Sequence, residues 1–499
     1  MRFWTAVGLS NWQATNLIFV MAQPSKKCLL QQDVHLKRDV TLLGGVSVIV
    51  GSMIGSGIFI SPVGVLKNVG SVGASLVVWM VCGLVAVCGS LTYAELGTMI
   101  PKSGAEYPYL KEAFGPIPAF LFAWTSSLVI KPSAVAIIGL VFGEYLIHPF
   151  FPDCKPVPLL VIKLASACCI TLVCFLNCYS LKIAARAQIV FTTAKLLALF
   201  VVIACGIFAL TQGLTDNLES GFSGDVHWST VGTAFYQGLW AYDGWNQLNY
   251  VTEELKNPSV NLPRAIMIGI PLVTIVYLLT NIAYLAGLSV TEMMISRAVA
   301  VTFGNKFLGA FAWFIPLGVA ISTFGGANGY SITGPRIIFS AARHGHMPEI
   351  LATVSYKRYT PVAAILFQTF IALLVLIPND FDTLVNYFSF SMWIFHGGSA
   401  LALLVLRRTQ PDRHRPYKVP IFIPILVVLI ALYLIIFPIA SQPAWEYMYA
   451  TLFILSGLLF YIPFVHLNLR FTFMKPFTTF VQQLFLVAPL SQYYDIKDT

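Results

Sequence analysis

Ionisable side chains are scarce in this sequence. Asp, Glu, Lys and Arg make up 10% of its 499 residues, where a soluble globular chain carries about one quarter. No polar block is long enough for a separate water-soluble domain. Metal-site spacings are missing as well. Nine cysteines and eight histidines contain no Cys-x-x-Cys…Cys-x-x-Cys and no His-x-x-x-His pattern, and His344 and His346 read as solvated residues of a basic loop. There is no paired-carboxylate or His/Cys arrangement for hydrolysis and no nucleotide-binding loop, so an enzyme is not expected, and no cofactor either. No Asn-x-Ser/Thr acceptor occurs, because Asn257-Pro-Ser is excluded by its proline. The formal charge of +9 comes without a basic run interleaved with aromatics, which argues against nucleic acid as a partner.

What the sequence has in abundance is apolar length. It is 57% hydrophobic with mean hydropathy +0.78, the profile of an all-α polytopic membrane protein. A crossing needs ~20 mainly apolar residues. Twelve spans are expected near 41–66, 71–98, 116–147, 157–178, 188–212, 229–251, 265–289, 306–333, 361–379, 381–406, 420–440 and 447–467. With both termini on one side, the connecting segments on that side hold 23 of the 30 Lys and Arg residues, so that side is expected to be the cytosol. The expected organisation is a cytoplasmic tail over 1–38, a transmembrane transporter domain over 39–467 and a second cytoplasmic tail over 468–499. The stretch 100–116 reads as an amphipathic helix along the inner face. On the opposite side, HPFFPDCKPVP carries Cys154, the one cysteine placed outside the membrane. It has no partner of its own chain there, which leaves a disulfide to another chain or a free thiol.

Two spans are built to break. IVGSMIGSGIFISP sets Gly51, Gly55, Ser56, Gly57 and Pro62 inside the first, and GTAFYQGLWAYDGWNQLNYV sets Gly238, Gly244 and Asp243 inside the sixth. Interrupted helices in corresponding halves of a transporter point to a site between them, and first and sixth is the spacing of two five-span inverted repeats. A half-helix N-terminus suits a carboxylate, free carbonyls suit an ammonium, and an amino acid carries both groups. The competing reading makes Gly55 and Gly57 a close helix contact. Asp243 is the carboxylate set well inside a span, where a charge costs about 2.5–3.5 kcal/mol and is usually functional. It can face a cationic substrate, pair with Lys195 or Lys131, or cap a half-helix. Lys195 stands mid-span, as a built-in cation or as a snorkelling lysine.

IVGSMIGSGIFISP, KSGAEYPYLKEAFGP, GLWAYDGWNQLNYVTEELKNP and the PLGVAISTFGGANGYSITGPRIIFSAARHGHMP block resemble the light subunits of heteromeric amino-acid transporters, in the amino acid–polyamine–organocation superfamily. VNYFSF, QPAWEYMY and LFILSGLLFYIPFVH resemble its b-zero-plus branch, which exchanges cystine and dibasic amino acids for neutral ones. The resemblance implies a LeuT-like 5+5 inverted repeat with broken helices 1 and 6, alternating access and sodium-independent exchange. It places substrate contacts at Ser52, Met53, Ile54, Gly55, Ser56 and Gly57 on the first span and at Trp240, Ala241, Tyr242, Asp243 and Asn246 on the sixth, with Trp240 as the gate. It puts Lys195 where sodium-coupled relatives hold their ion. It makes Cys154 the disulfide link to a single-pass heavy-chain glycoprotein of the rBAT type, at the plasma membrane and on the apical epithelial surface for this branch. A neutral (L-type) or acidic/cystine exchanger of the same family is the alternative. Met53 and Pro335 depart from the family pattern, where a β-branched residue and a small residue are expected.

Overall fold

A computed structural model describes residues 40–489, apart from 101, 103, 152–157, 220, 225, 251, 253–254, 297, 356–357, 359, 379, 442–444, 468, 470–473 and 486. The expected tail 1–38 and Cys154 lie outside the described residues.

Apolar length becomes helix. Among the described residues nine helices are long and apolar enough to cross a membrane: Val72–Met99, Pro116–Phe150, Leu159–Tyr179, Val190–Thr211, Pro258–Gly287, Gly309–Arg343, Phe381–Thr409, Phe422–Ser441 and Trp445–His466. A tenth forms when Leu42–Met53 and Gly57–Val69, bent by 51°, count as one. The protein is therefore a polytopic membrane protein. Two of the twelve expected crossings fall short on length. Val362–Leu376 is a helix of 15 residues, roughly 22 Å at 1.5 Å per residue, less than a hydrocarbon core of about 30 Å. Val231–Ala241 stops after 11 residues, because its continuation is interrupted at Gly244.

Large apolar side chains such as Phe175, Phe200, Phe208, Leu429, Ile436 and Leu459 point outward, as helices facing hydrocarbon require. Exposed Trp228, Trp313 and Trp445 sit where the chain enters the helices that follow, which suits an interfacial aromatic belt. Pro335 is carried inside the continuous helix Phe314–Arg343.

On the opposite side, the basic connections are tied together. Val40 bridges Leu255, and Lys256 N–H donates to Val40 O at 2.8 Å. Thr353–Ser355 pairs antiparallel with Val487–Pro489. Glu95, fully buried at the end of Val72–Met99, takes Arg407 in a two-pronged pair with one contact of 2.9 Å, and it accepts the Val419 N–H at 2.7 Å. Glu112 meets Arg413 at 3.3 Å.

The segment 100–116 differs from expectation. Glu106–Phe114 is a helix, yet Glu106, Tyr107, Pro108, Tyr109 and Leu110 are buried. Its first turn is driven into the bundle because partners for Glu106 wait there, described below.

Candidate binding site at the two helix breaks

Leu42–Met53 ends at Ile54, and the chain restarts as a helix at Gly57 with Ser56 as the N-cap residue. The first N–H groups of that second half lack intrahelical acceptors and carry the positive end of the helix dipole. The two glycines do different work. A Cβ on Gly55 would find nothing nearer than 3.9 Å, whereas a Cβ on Gly57 would lie 2.3 Å from Ala241 Cα. Gly57 therefore lets the two broken helices touch, as the close-contact reading holds, and Gly55 leaves open space.

The second break runs over Tyr242–Asn246, between Val231–Ala241 and Gln247–Tyr250. Gly244 sits at φ +103°, and a Cβ on it would lie 2.9 Å from Ser52 Cβ. Only glycine combines that backbone with that proximity. The carbonyls that end the first halves of both helices are already engaged. The Tyr277 hydroxyl lies 2.6 Å from Met53 O and 2.9 Å from Ala241 O. The Lys195 ammonium donates to Gly51 O, one turn before the first break.

The breaks flank a cavity of about 610 Å³, a size typical of small-molecule sites. Ser52, Met53, Gly55, Ser56, Gly57, Trp240 and Asp243 line it, together with Gln188, Thr192, Gly326, Gly329, Tyr330 and Thr333. Four other expected residues are placed differently. Ile54 is buried. Ala241 packs against Gly57. Tyr242 is buried against the rings of Trp79 and Tyr277. Asn246 turns away and donates to Glu106 Oε1 at 2.8 Å. Trp240 stands edge-on to Phe388 at 4.9 Å.

Asp243 has a partner that sequence reasoning did not single out: the Tyr330 hydroxyl donates to its Oδ2. Lys131 is carried inward just after a π turn over Ser126–Ile130. Its ammonium lies 5.1 Å from the Tyr250 ring centre and 5.2 Å from that of Tyr330, and its charge acts on both Asp243 and Glu106. Glu106 accepts from Tyr250 at 2.7 Å, Asn246 at 2.8 Å and Tyr93 at 3.2 Å. The resumed half of the second broken helix is thereby fastened to Glu106–Phe114 and Val72–Met99. A lone Glu in a Pro- and Gly-rich stretch gives no sequence signal for this role. For Tyr330, the glycines around it in STFGGANGYSITG mark a helix face with room for a ligand. Among the described residues no group of three His, Cys, Asp or Glu side chains gathers to hold a metal.

A half-helix N-terminus and a carboxylate thus border one half-open cavity, a setting that suits a small molecule carrying both charges. A family model described as amino acid permease matches residues 41–459. The chain belongs to the amino acid permease family. Within this family it is 51% identical to the b(0,+)-type amino acid transporter 1 of Mus musculus, over 91% of this chain and 94% of that protein. It is 46% identical to the cystine/glutamate transporter of Homo sapiens, over 83% and 82% of the two chains. It is 47% identical to the large neutral amino acids transporter small subunit 2 of Mus musculus, over 82% and 78%.

Proposed function

We propose that this permease is a sodium-independent obligatory exchanger that takes up cationic amino acids and cystine against neutral amino acids by alternating access. One observation carries the reading: the N-terminus of the half-helix from Gly57 and the Asp243 carboxylate face the same cavity. The substrate carboxylate lies against the N–H groups at Gly55–Gly57, and a cationic side chain extends to Asp243. The substrate amine is held by backbone carbonyls of the two breaks, where Met53 O and Ala241 O keep acceptor capacity beside the single Tyr277 proton. Lys195, bonded to Gly51 O, supplies a built-in amine where a sodium ion would otherwise be needed.

Twelve crossings in a LeuT-like 5+5 inverted repeat follow if the helices Val231–Ala241 with Gln247–Tyr250, and Val362–Leu376, complete the ten. Residues 39–467 are then the transporter domain between cytoplasmic tails 1–38 and 468–499, at the plasma membrane. The cavity reaches Ser47, Gln188 and Thr333, toward the helix ends on the side of the basic connections, which supports an inward-facing arrangement. Cys154 forms the disulfide to a heavy-chain glycoprotein of the rBAT type. The similarity to the b(0,+)-type transporter favours this branch. Asp243 disfavours the acidic/cystine alternative, since an anionic side chain would be repelled, while in a neutral (L-type) exchanger that carboxylate would have only a structural role. Counterflow in liposomes tests the reading: labelled arginine uptake should accelerate with internal leucine, and an absence of trans-stimulation would sink it.

A further inference from the structure

An exchanger of cationic for neutral amino acids meets a problem of its own making. On one leg a cationic head satisfies Asp243; on the other, a neutral substrate brings nothing to it. A carboxylate left without a donor in a closing, low-dielectric site is costly. The structure contains a group that answers this. The Tyr330 hydroxyl donates to Asp243 Oδ2, and both side chains are half-buried at the cavity wall. The helix carrying Tyr330 is held from behind by Gln368, whose Nε2 lies 3.4 Å from Tyr330 O. Lys131 lies against the face of the phenol ring, an attraction that favours keeping the ring in place. Gly329, next to it, and Gly326, one turn before, line the same cavity. Beside them the wall is completed by Ile138 and Gln188, at 3.5 Å and 3.8 Å from where a Cβ on Gly326 and Gly329 would lie, so the phenol stands at the edge of the cavity that an arriving cation would enter.

We propose that Tyr330 is a specificity-determining residue: its hydroxyl stands in for the cationic head of the substrate, keeping Asp243 hydrogen-bonded when the site is empty or holds a neutral amino acid. This rests on the exchange reading above. The phenol is a neutral donor, weaker toward a carboxylate than an ammonium or guanidinium, so a cationic substrate displaces it and a neutral one leaves it. Tyr330 therefore sets how well the carrier tolerates neutral substrates, and Asp243 sets how well it takes cationic ones.

The test uses the full-length chain with its heavy chain in proteoliposomes, measuring leucine–leucine and arginine–arginine exchange separately. Tyr330→Phe removes the donor and keeps the ring. It should lower leucine–leucine exchange about tenfold more than arginine–arginine exchange, the factor expected for a lost hydrogen bond to a charged group. In the Asp243→Asn background, where no carboxylate needs a donor, Tyr330→Phe should have no such effect on leucine exchange. A Tyr330→Phe chain in which both exchanges fall alike, or the same leucine defect in the Asp243→Asn background, overturns the inference while leaving the exchanger intact. Wild-type protein that exchanges leucine but no arginine overturns the functional reading and this inference with it.

Discussion

The Tyr277 hydroxyl lies 2.6 Å from Met53 O and 2.9 Å from Ala241 O, so one side chain ties the ends of both half-helices. Each carbonyl would otherwise end its helix without an N–H partner. Tyr277 belongs to the continuous helix Pro258–Gly287. The unwound segments are thus anchored to a regular element, and the two breaks are held at one level beside the cavity.

Removing that anchor has a measurable cost. Tyr277→Phe removes the one hydroxyl proton that two buried carbonyls share, at about 1–3 kcal/mol. Thermal unfolding of the purified protein should shift down by several degrees, and substrate should recover less stability than in the wild type. An unshifted midpoint would show that water satisfies the carbonyls and that Tyr277 is not the anchor.

The two glycines of the first break should separate. Gly57→Ala puts a methyl 2.3 Å from Ala241 Cα, a backbone clash that overpacking of this kind prices at about 1–3 kcal/mol or more. It should reduce folded protein at the cell surface. Gly55→Ala meets nothing within 3.9 Å, so surface abundance should stay near wild type while substrate affinity falls, because the methyl enters the cavity. Equal loss of surface protein in both variants contradicts this division.

Outside the membrane helices, His346 is buried against Tyr107 rather than solvated as its basic loop suggested, and it makes a pH-dependent contribution. Burial pushes its pKa down to about 4, and Nδ1 lies 3.0 Å from the Tyr107 hydroxyl. Its unfolded value is about 6.5. Between the two values the unfolded chain binds a proton that the folded chain does not, so stability falls as pH drops through that window. Thermal midpoints measured from pH 7 to pH 4.5 should decline less steeply for His346→Gln than for the wild type. Parallel curves would remove His346 from the account.

Much of the architecture is local and therefore legible in the sequence. Hydropathy marks the helices, and the glycines at 55, 57 and 244 mark both breaks; a close contact at Gly57 and a positive φ with a close contact at Gly244 exclude other residues. Asp243 stands out because a carboxylate in an apolar run is rare. What stayed hidden depends on which helices become neighbours. Tyr277 and Tyr330 are aromatic residues in apolar helices, and nothing local says that one meets two carbonyls and the other meets Asp243. Asn246 reads as a pocket residue by its place beside the break, but Glu106 draws its side chain away. Glu106 itself lies in a stretch that reads as a surface helix until its donors from Val72–Met99 and Gln247–Tyr250 are seen together. Val362–Leu376 looks long enough in sequence because apolar residues continue past the helix end.

The central claim is that Asp243 receives the cationic side chain of an amino acid whose carboxylate lies at Gly55–Gly57. Its most direct test is uptake of labelled arginine and leucine into proteoliposomes preloaded with leucine, with and without sodium, for wild type and Asp243→Asn. The account predicts uptake of both substrates without sodium. It also predicts a loss of arginine uptake at least about tenfold greater than that of leucine in the variant, the scale of losing a charge-assisted pair. Equal losses of arginine and leucine would contradict it and make Asp243 a structural residue.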